Sequence, residues 1–206
     1  MVDNEKAWRA YLAEGNAKQA RKRVGVDALV RDTESRVLVV NPTYKPGWDL
    51  PGGMVEANEE PLDALRRELS EELALELPEY RLVCVDWVPP HCPWDDLLAF
   101  LFDGGTVPAQ ATLSLHDGEL EEFSFVEQDR LGEMLSPRLW RRVQVGLDVI
   151  RTGGPLQYLR DGRPLRDLRS DRAAQRRAWA RSSKASPPPP GPLTGPDRPA
   201  SRPPRP

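Results

Sequence analysis

Four residues in one short stretch are placed to do chemistry: Arg67, Glu68, Glu71 and Glu72, within Gly52–Leu75, GGMVEANEEPLDALRRELSEELAL. On a helix advancing about 100° per residue, Glu71 falls about 60° to one side of Glu68 and Glu72 about 40° to the other. The three carboxylates therefore share one narrow arc. Like charges so close repel, and the cluster costs stability unless something positive sits beside it. Arg67 stands four residues before Glu71, where it can brace that carboxylate. Leu62, Leu65, Leu69 and Leu73 form a separate apolar stripe about 100° away, the side a core would cover.

Such an array suits Mg²⁺, with Mn²⁺ as a substitute. Mg²⁺ takes oxygen ligands, keeps several waters and completes its shell with substrate phosphates. Gly52 and Gly53 let the backbone approach closely, so a carbonyl there can add a ligand. A site of this kind polarises phosphoryl oxygens, lowers the pKa of a bound water and stabilises the leaving group. A carboxylate left off the metal can take the water's proton. The plain alternative is an acid-faced amphipathic helix with no chemistry. For a generic helix that reading would win.

The elements that must position these residues follow from periodicity and breakers. Residues 4–22 read as a helix capped by Asn4, with Trp8, Tyr11 and Leu12 on one face and Lys18, Arg21, Lys22 and Arg23 at its end. Val24–Val30 and Val37–Val40 read as a hairpin around Asp32-Thr33-Glu34-Ser35. Trp48-Asp49-Leu50 reads as a short strand before the glycine pair. Pro61 suits the first turn of the central helix. Further strands are expected at Arg81–Val88, Leu97–Phe102 and Glu119–Val126, with loop-like chain over 89–96 and 103–118. Helices are expected at about 128–135 and 137–151, and a short hairpin at Leu156–Leu165 around Asp161-Gly162. This alternation predicts an α/β domain with helices covering a mixed sheet.

The stretch resembles the Nudix hydrolase signature, G-x5-E-x7-R-E-U-x-E-E-x-G-U with U a bulky aliphatic. Gly53, Glu59, Arg67-Glu68-Leu69, Glu71-Glu72 and Leu75 fall at the required spacing. Ala74 stands where the family's final glycine ends the helix, so a slightly longer helix is expected here. The resemblance implies a Nudix-like α/β/α sandwich around a mixed β-sheet. It implies metal ligands at Glu68, Glu71, Glu72 and the Gly52 carbonyl. Catalysis would then rest on Glu68, Arg67 and Glu71, with Glu68 activating water, and Gly53 and Glu59 would support the loop. Some relatives draw a base from a later loop, for which Glu119, Glu121 and Glu122 are the candidates. The implied reaction is Mg²⁺-dependent hydrolysis of a diphosphate linkage in a nucleoside diphosphate joined to another group: a nucleotide sugar, ADP-ribose or an NTP-like molecule. Two alternatives stand beside it: a diphosphate isomerase on the same fold, which needs a cysteine in an apolar pocket, and a ligand-binding regulatory module.

Tyr44, Trp48, Trp87 and Trp94 are aromatics able to stack on a base, Tyr44 and Trp48 being nearest the box in sequence. His91 and His116 sit in loops and receive no role. Cys84 and Cys92, the only cysteines, show no metal-type spacing, which with the charged N-terminus fits a reduced, cytoplasmic protein. No stretch has the length of a membrane span.

Charge divides the 206 residues. Residues 1–159 hold 17 Lys and Arg against 28 Asp and Glu, while 160–206 hold 12 against 4. The acidic body makes nucleic acid an unfavoured partner and suits divalent cations; the resemblance implies a small nucleotide diphosphate as the partner, and a homodimer is compatible. The expected organisation is an N-terminal helix over 1–23, a Nudix hydrolase domain over 24–165, a basic helical extension over 166–184 and a Pro-rich disordered tail over 185–206. Ten of the 22 prolines fall in 187–206.

Overall fold

A computed structural model describes residues 2–108, 113–115 and 118–165. The expectations for 166–184, 185–206 and His116 lie outside the described residues.

The chain opens with helix α1, Val2–Ala17. It ends five residues before the predicted end, because Arg23 already belongs to the first strand, and Asn4 lies inside the helix rather than capping it. Every side chain from Asn4 to Ala17 is exposed, and Trp8 stacks on Tyr11 with ring centroids 5.5 Å apart. The strands that follow are β1 (Arg23–Arg31), β2 (Val37–Pro42) and β3 (Gly52–Met54). Helix α2 spans Pro61–Leu73. Strands β4 (Arg81–Val88), β5 (Leu97–Thr106) and β6 (Leu120–Val126) come next. Helices α3 (Leu131–Met134) and α4 (Pro137–Thr152) precede a terminal hairpin of β7 (Gln157–Arg160) and β8 (Arg163–Pro164).

The sheet runs β6-β2-β1-β5-β4-β7-β8, with β3 added alongside β1. It is mixed: β1 pairs β5 and β4 pairs β7 in parallel, and the other neighbours are antiparallel. Side chains alternate across it as the two-residue strand period requires. On one face Val26, Ala28, Val30, Leu38 and Val40 pack with Ala64, Leu65, Leu69 and Leu73 of α2. On the other, Leu29, Val37 and Val39 pack with Leu139, Val143 and Val149 of α4. The architecture is an α/β/α sandwich. The leucine stripe of α2 therefore faces the core as its spacing required.

Three local expectations change. Residues 48–50 form no strand: Asp49 and Trp48 make single bridges, to Val40 and Leu135, because Pro51 interrupts the run. The glycines are instead the strand, Gly52 and Gly53 pairing with Asp27 and Val26 of β1. Strand β5 continues through Gly104-Gly105 to Thr106, held by its parallel register with β1, where a loop was expected. Ala74 does not extend α2. It takes the left-handed conformation (φ 51°, ψ 35°) and ends the helix, its N–H donating to Ser70 O at 3.0 Å while Leu75 N–H donates to Leu69 O at 3.0 Å. That is the double-bonded glycine-type stop, executed here by alanine.

Candidate active site

Pro61 starts α2, and the helix runs out of β3 by way of the 55–60 loop, so the glycine strand and the acidic face of the helix lie together. The contact is tight. A methyl group at Gly53 would collide with the Glu68 carboxylate, and one at Gly52, whose φ is 140°, would collide with the Val26 carbonyl. Only glycine allows the carboxylate and the strand to be this close. Gly52 N–H donates to Glu72 Oε2 at 3.2 Å, and Glu72 is only 4% exposed.

Arg67 organises the rest. Its Nε donates to Glu59 Oε1 at 2.9 Å and its Nη2 to Glu59 Oε2 at 3.0 Å. Its Nη1 donates to Glu68 Oε1 at 3.0 Å and to Glu71 Oε2 at 3.1 Å, and Nη2 also reaches Met54 O at 3.3 Å. Glu59 further accepts Glu56 N–H at 2.8 Å, which fixes the loop. The predicted brace between Arg67 and Glu71 is present, and Glu59 adds a two-pronged anchor beneath it.

The carboxylates differ in surroundings. Glu68 has its side chain 15% exposed, and burial raises its carboxyl above the usual range, opposed by Arg67 and assisted by Glu71 and Glu119. Glu71 is 54% exposed. Hydrogen bonding by Arg67 and by Glu56 N–H holds Glu59 below the usual range. Among the described residues, no group of three or more His, Cys, Asp or Glu side chains is placed to hold a metal ion. The carboxylate oxygens of Glu68 and Glu72 beside the glycine strand are nonetheless of the hard-donor type taken by a cation that keeps water and substrate oxygens in its shell.

A cleft of about 600 Å³ opens beside the glycine strand, lined in part by Gly52, Gly53, Glu72, Tyr44, Trp48 and Trp94; Arg67, Glu68 and Glu71 are not among its lining residues. Tyr44 is 68% exposed, while Trp48 also packs against the α4-side core. Trp87 points elsewhere: its indole donates to Asp96 Oδ2 at 2.8 Å and Arg160 lies over its ring. Glu119, Glu121 and Glu122 are all exposed on and just before β6. Glu119 acts on Glu68 through its charge, and its carbonyl accepts Thr43 N–H at 2.8 Å, tying it to the Tyr44 loop.

The cleft floor holds charges that the motif reading missed. Arg142 of α4, 5% exposed, donates from Nη1 to Asp27 Oδ2 at 2.7 Å and from Nε to Asp86 Oδ2 at 3.1 Å. Asp86 is fully buried and also accepts Gly162 N–H at 3.0 Å. Burial pushes the Asp27 carboxyl up to about 6, with Arg142 opposing. Lys45 and Asp49 form an ion pair at the cleft wall. The signal was in the sequence: Asp27 and Asp86 each sit alone among apolar strand residues, and Arg142 interrupts the apolar stripe of α4. Cys84, in contrast, is fully buried in the core, where burial pushes its thiol up to about 12; the isomerase alternative has no cysteine lining the cleft among the described residues.

The sequence pattern of the NUDIX domain matches residues 21–145. Over 53 residues the chain is 45% identical to an RNA pyrophosphohydrolase of Halorhodospira halophila (strain DSM 244 / SL1), covering 26% of this chain and 29% of that protein. The matched stretch is thus under a third of that relative. The fold is similar to the NUDIX domain of Shewanella oneidensis NrtR complexed with ADP ribose (TM-score 0.56, 17% identity, 67% of this chain and 97% of that one). It is also similar to a UDP-X diphosphatase (TM-score 0.57, 18% identity, 75% and 74%). Among the described residues no helix is long and apolar enough to cross a membrane. With the domain pattern covering more than half of the chain and the sandwich shared with Nudix structures, the chain belongs to the NUDIX family, whose signature helix is α2.

Proposed function

We propose that this Nudix protein is a Mg²⁺-dependent hydrolase of the diphosphate linkage in a nucleoside diphosphate joined to another group. The observation that carries the reading is the Arg67-ordered pair Glu68 and Glu71, with Glu68 lying against Gly53, a residue that together with Gly52 and Glu72 lines the cleft. Glu68, Glu71, Glu72 and the Gly52 carbonyl would hold the ion, with Mn²⁺ able to substitute. When bound, the cation polarises the phosphoryl oxygens and offsets the charge developing on the leaving phosphate.

The chain's own groups do the remaining work. Water attacks phosphorus, and the bond to the bridging oxygen breaks. Glu68, part-buried and held by Arg67 beside the glycine strand, is the first candidate for a role in activating the water. Arg67 keeps Glu68 and Glu71 in register, and Glu59 keeps Arg67 in place. Glu119 is the extra acid nearest to Glu68 in its electrostatic effect. Tyr44 and Trp48 contribute aromatic surface to the cleft wall.

The test is a hydrolysis panel with Mg²⁺: nucleotide sugars, ADP-ribose, dinucleoside polyphosphates, oxidised dNTPs and a 5′-triphosphorylated RNA. Glu68→Gln and Glu71→Gln should lower turnover by about 10²-fold or more while leaving the fold intact. Unchanged turnover in both variants would reject these assignments. Tight nucleotide binding without turnover in Mg²⁺ or Mn²⁺ would support a ligand-binding module instead.

A further inference from the structure

We propose that Trp94 is the stacking platform for the nucleobase of the ligand, backed by Arg23; this deepens the reading above by assigning the base subsite. Trp94 is 55% exposed and lines the same cleft as Gly52, Gly53 and Glu72. An exposed indole in a loop would ordinarily sample many orientations. This one is held from several directions. The Arg23 guanidinium lies over the ring at 4.6 Å from its centroid, and Arg23 Nη1 also donates to Asp95 O at 3.4 Å. The Trp94 backbone is locked to His91 by two bonds, Trp94 N–H to His91 O at 2.7 Å and His91 N–H to Trp94 O at 3.0 Å. Two residues on, Asp96 accepts from the Trp87 indole at 2.8 Å and from Lys22 Nζ at 2.6 Å, pinning the end of the loop.

The arrangement costs exposed apolar area and ordered side chains, and within the molecule the ring buries little in return. Its consequence is a flat, preorganised π-surface with a cation stacked on it, both among the residues that line the cleft. A planar heteroaromatic ring gains most from such a surface, because stacking uses its whole face and the arginine polarises the stack. Sugars and aliphatic chains lack that face. The other two aromatic candidates are less suited. Tyr44 has a lysine near its ring at 5.7 Å but is 68% exposed, and Trp48 spends part of its surface on the core.

The experiment is calorimetric titration of the full chain, in Mg²⁺, with ADP and with tripolyphosphate, which carries phosphates but no base. Wild type, Trp94→Leu and Trp94→Phe are compared. Trp94→Leu should weaken ADP about ten-fold, the scale of one base–aromatic stack, and Trp94→Phe should restore most of that loss. Tripolyphosphate affinity should be the same in all three. Equal ADP affinity in wild type and Trp94→Leu overturns the platform, as does parallel weakening of both ligands. A wild type that binds ADP through Trp94 yet cleaves nothing in the hydrolysis panel rejects the hydrolase reading and upholds the platform.

Discussion

Arg67 and Glu59 meet as a fork on a fork, Nε to Oε1 at 2.9 Å and Nη2 to Oε2 at 3.0 Å, leaving the third nitrogen free to reach Glu68 and Glu71. One planar cation thus fixes two catalytic candidates from a loop anchor. A lysine keeps the charge but cannot hold both ends at once. Arg67→Lys should lower kcat about 10- to 100-fold, the usual cost of losing an orienting partner, with a smaller change in KM. Steady-state kinetics on the best panel substrate checks this.

The two glycines should fail differently. Gly53→Ala pushes against the Glu68 carboxylate, the end of a side chain that can swing aside, so activity should fall by about 10²-fold with little loss of stability. Gly52→Ala meets backbone at a φ of 140°, so it should lower stability by about 1–3 kcal/mol as well. Urea unfolding alongside kinetics separates the two.

Ala74 sits in the left-handed region that an alanine adopts at a cost. Ala74→Gly should relieve that strain and stabilise the fold by about 1 kcal/mol. Turnover should be unchanged, since Ala74 contributes only its backbone to the helix stop. Denaturant midpoints measure the gain.

Arg142 serves two carboxylates beneath the cleft. Arg142→Met leaves Asp27 and Asp86 without their cation and should cost about 3–5 kcal/mol. The double variant Arg142→Met with Asp86→Asn should recover part of the loss, because one uncompensated charge is then gone.

Asp27 predicts a pH dependence of stability. Its carboxyl is raised from 3.8 to about 6 by burial, with Arg142 and Lys45 opposing and Asp49 assisting. Between these values the folded protein keeps a proton that the unfolded chain has released. The group's contribution is therefore fully present below 3.8 and is lost as pH rises through about 6. The stability of wild type minus that of Asp27→Asn should fall across this window and be flat above it. Thermal melts of the metal-free protein over this range test the sign.

Much of the site was legible because its signals were local. The helical angles of Glu68, Glu71 and Glu72 and the leucine stripe need only the 3.6-residue period, and α2 obeys it. Strand β4 spans the residues expected of it, Arg81–Val88. What the sequence hid was long-range. Gly52–Gly53 looks like a turn until β1 supplies a partner strand, and β5 outlasts its apolar run because β1 runs beside it. The Asp27–Arg142–Asp86 cluster joins residues 56 and 115 positions apart, so no window could contain it. Each charge taken alone was still anomalous among apolar neighbours, which is the trace such clusters leave.

The carboxylate array rests on a helix and a sheet strand, while the aromatic lining sits on the 43–51 and 89–96 connections. Under the proposed function, substitutions in those two loops would exchange one ligand for another without disturbing Arg67 or its glutamates. On the proposed reading, what the protein does to a substrate is thereby kept apart from which substrate it accepts, and the second property is free to diverge first.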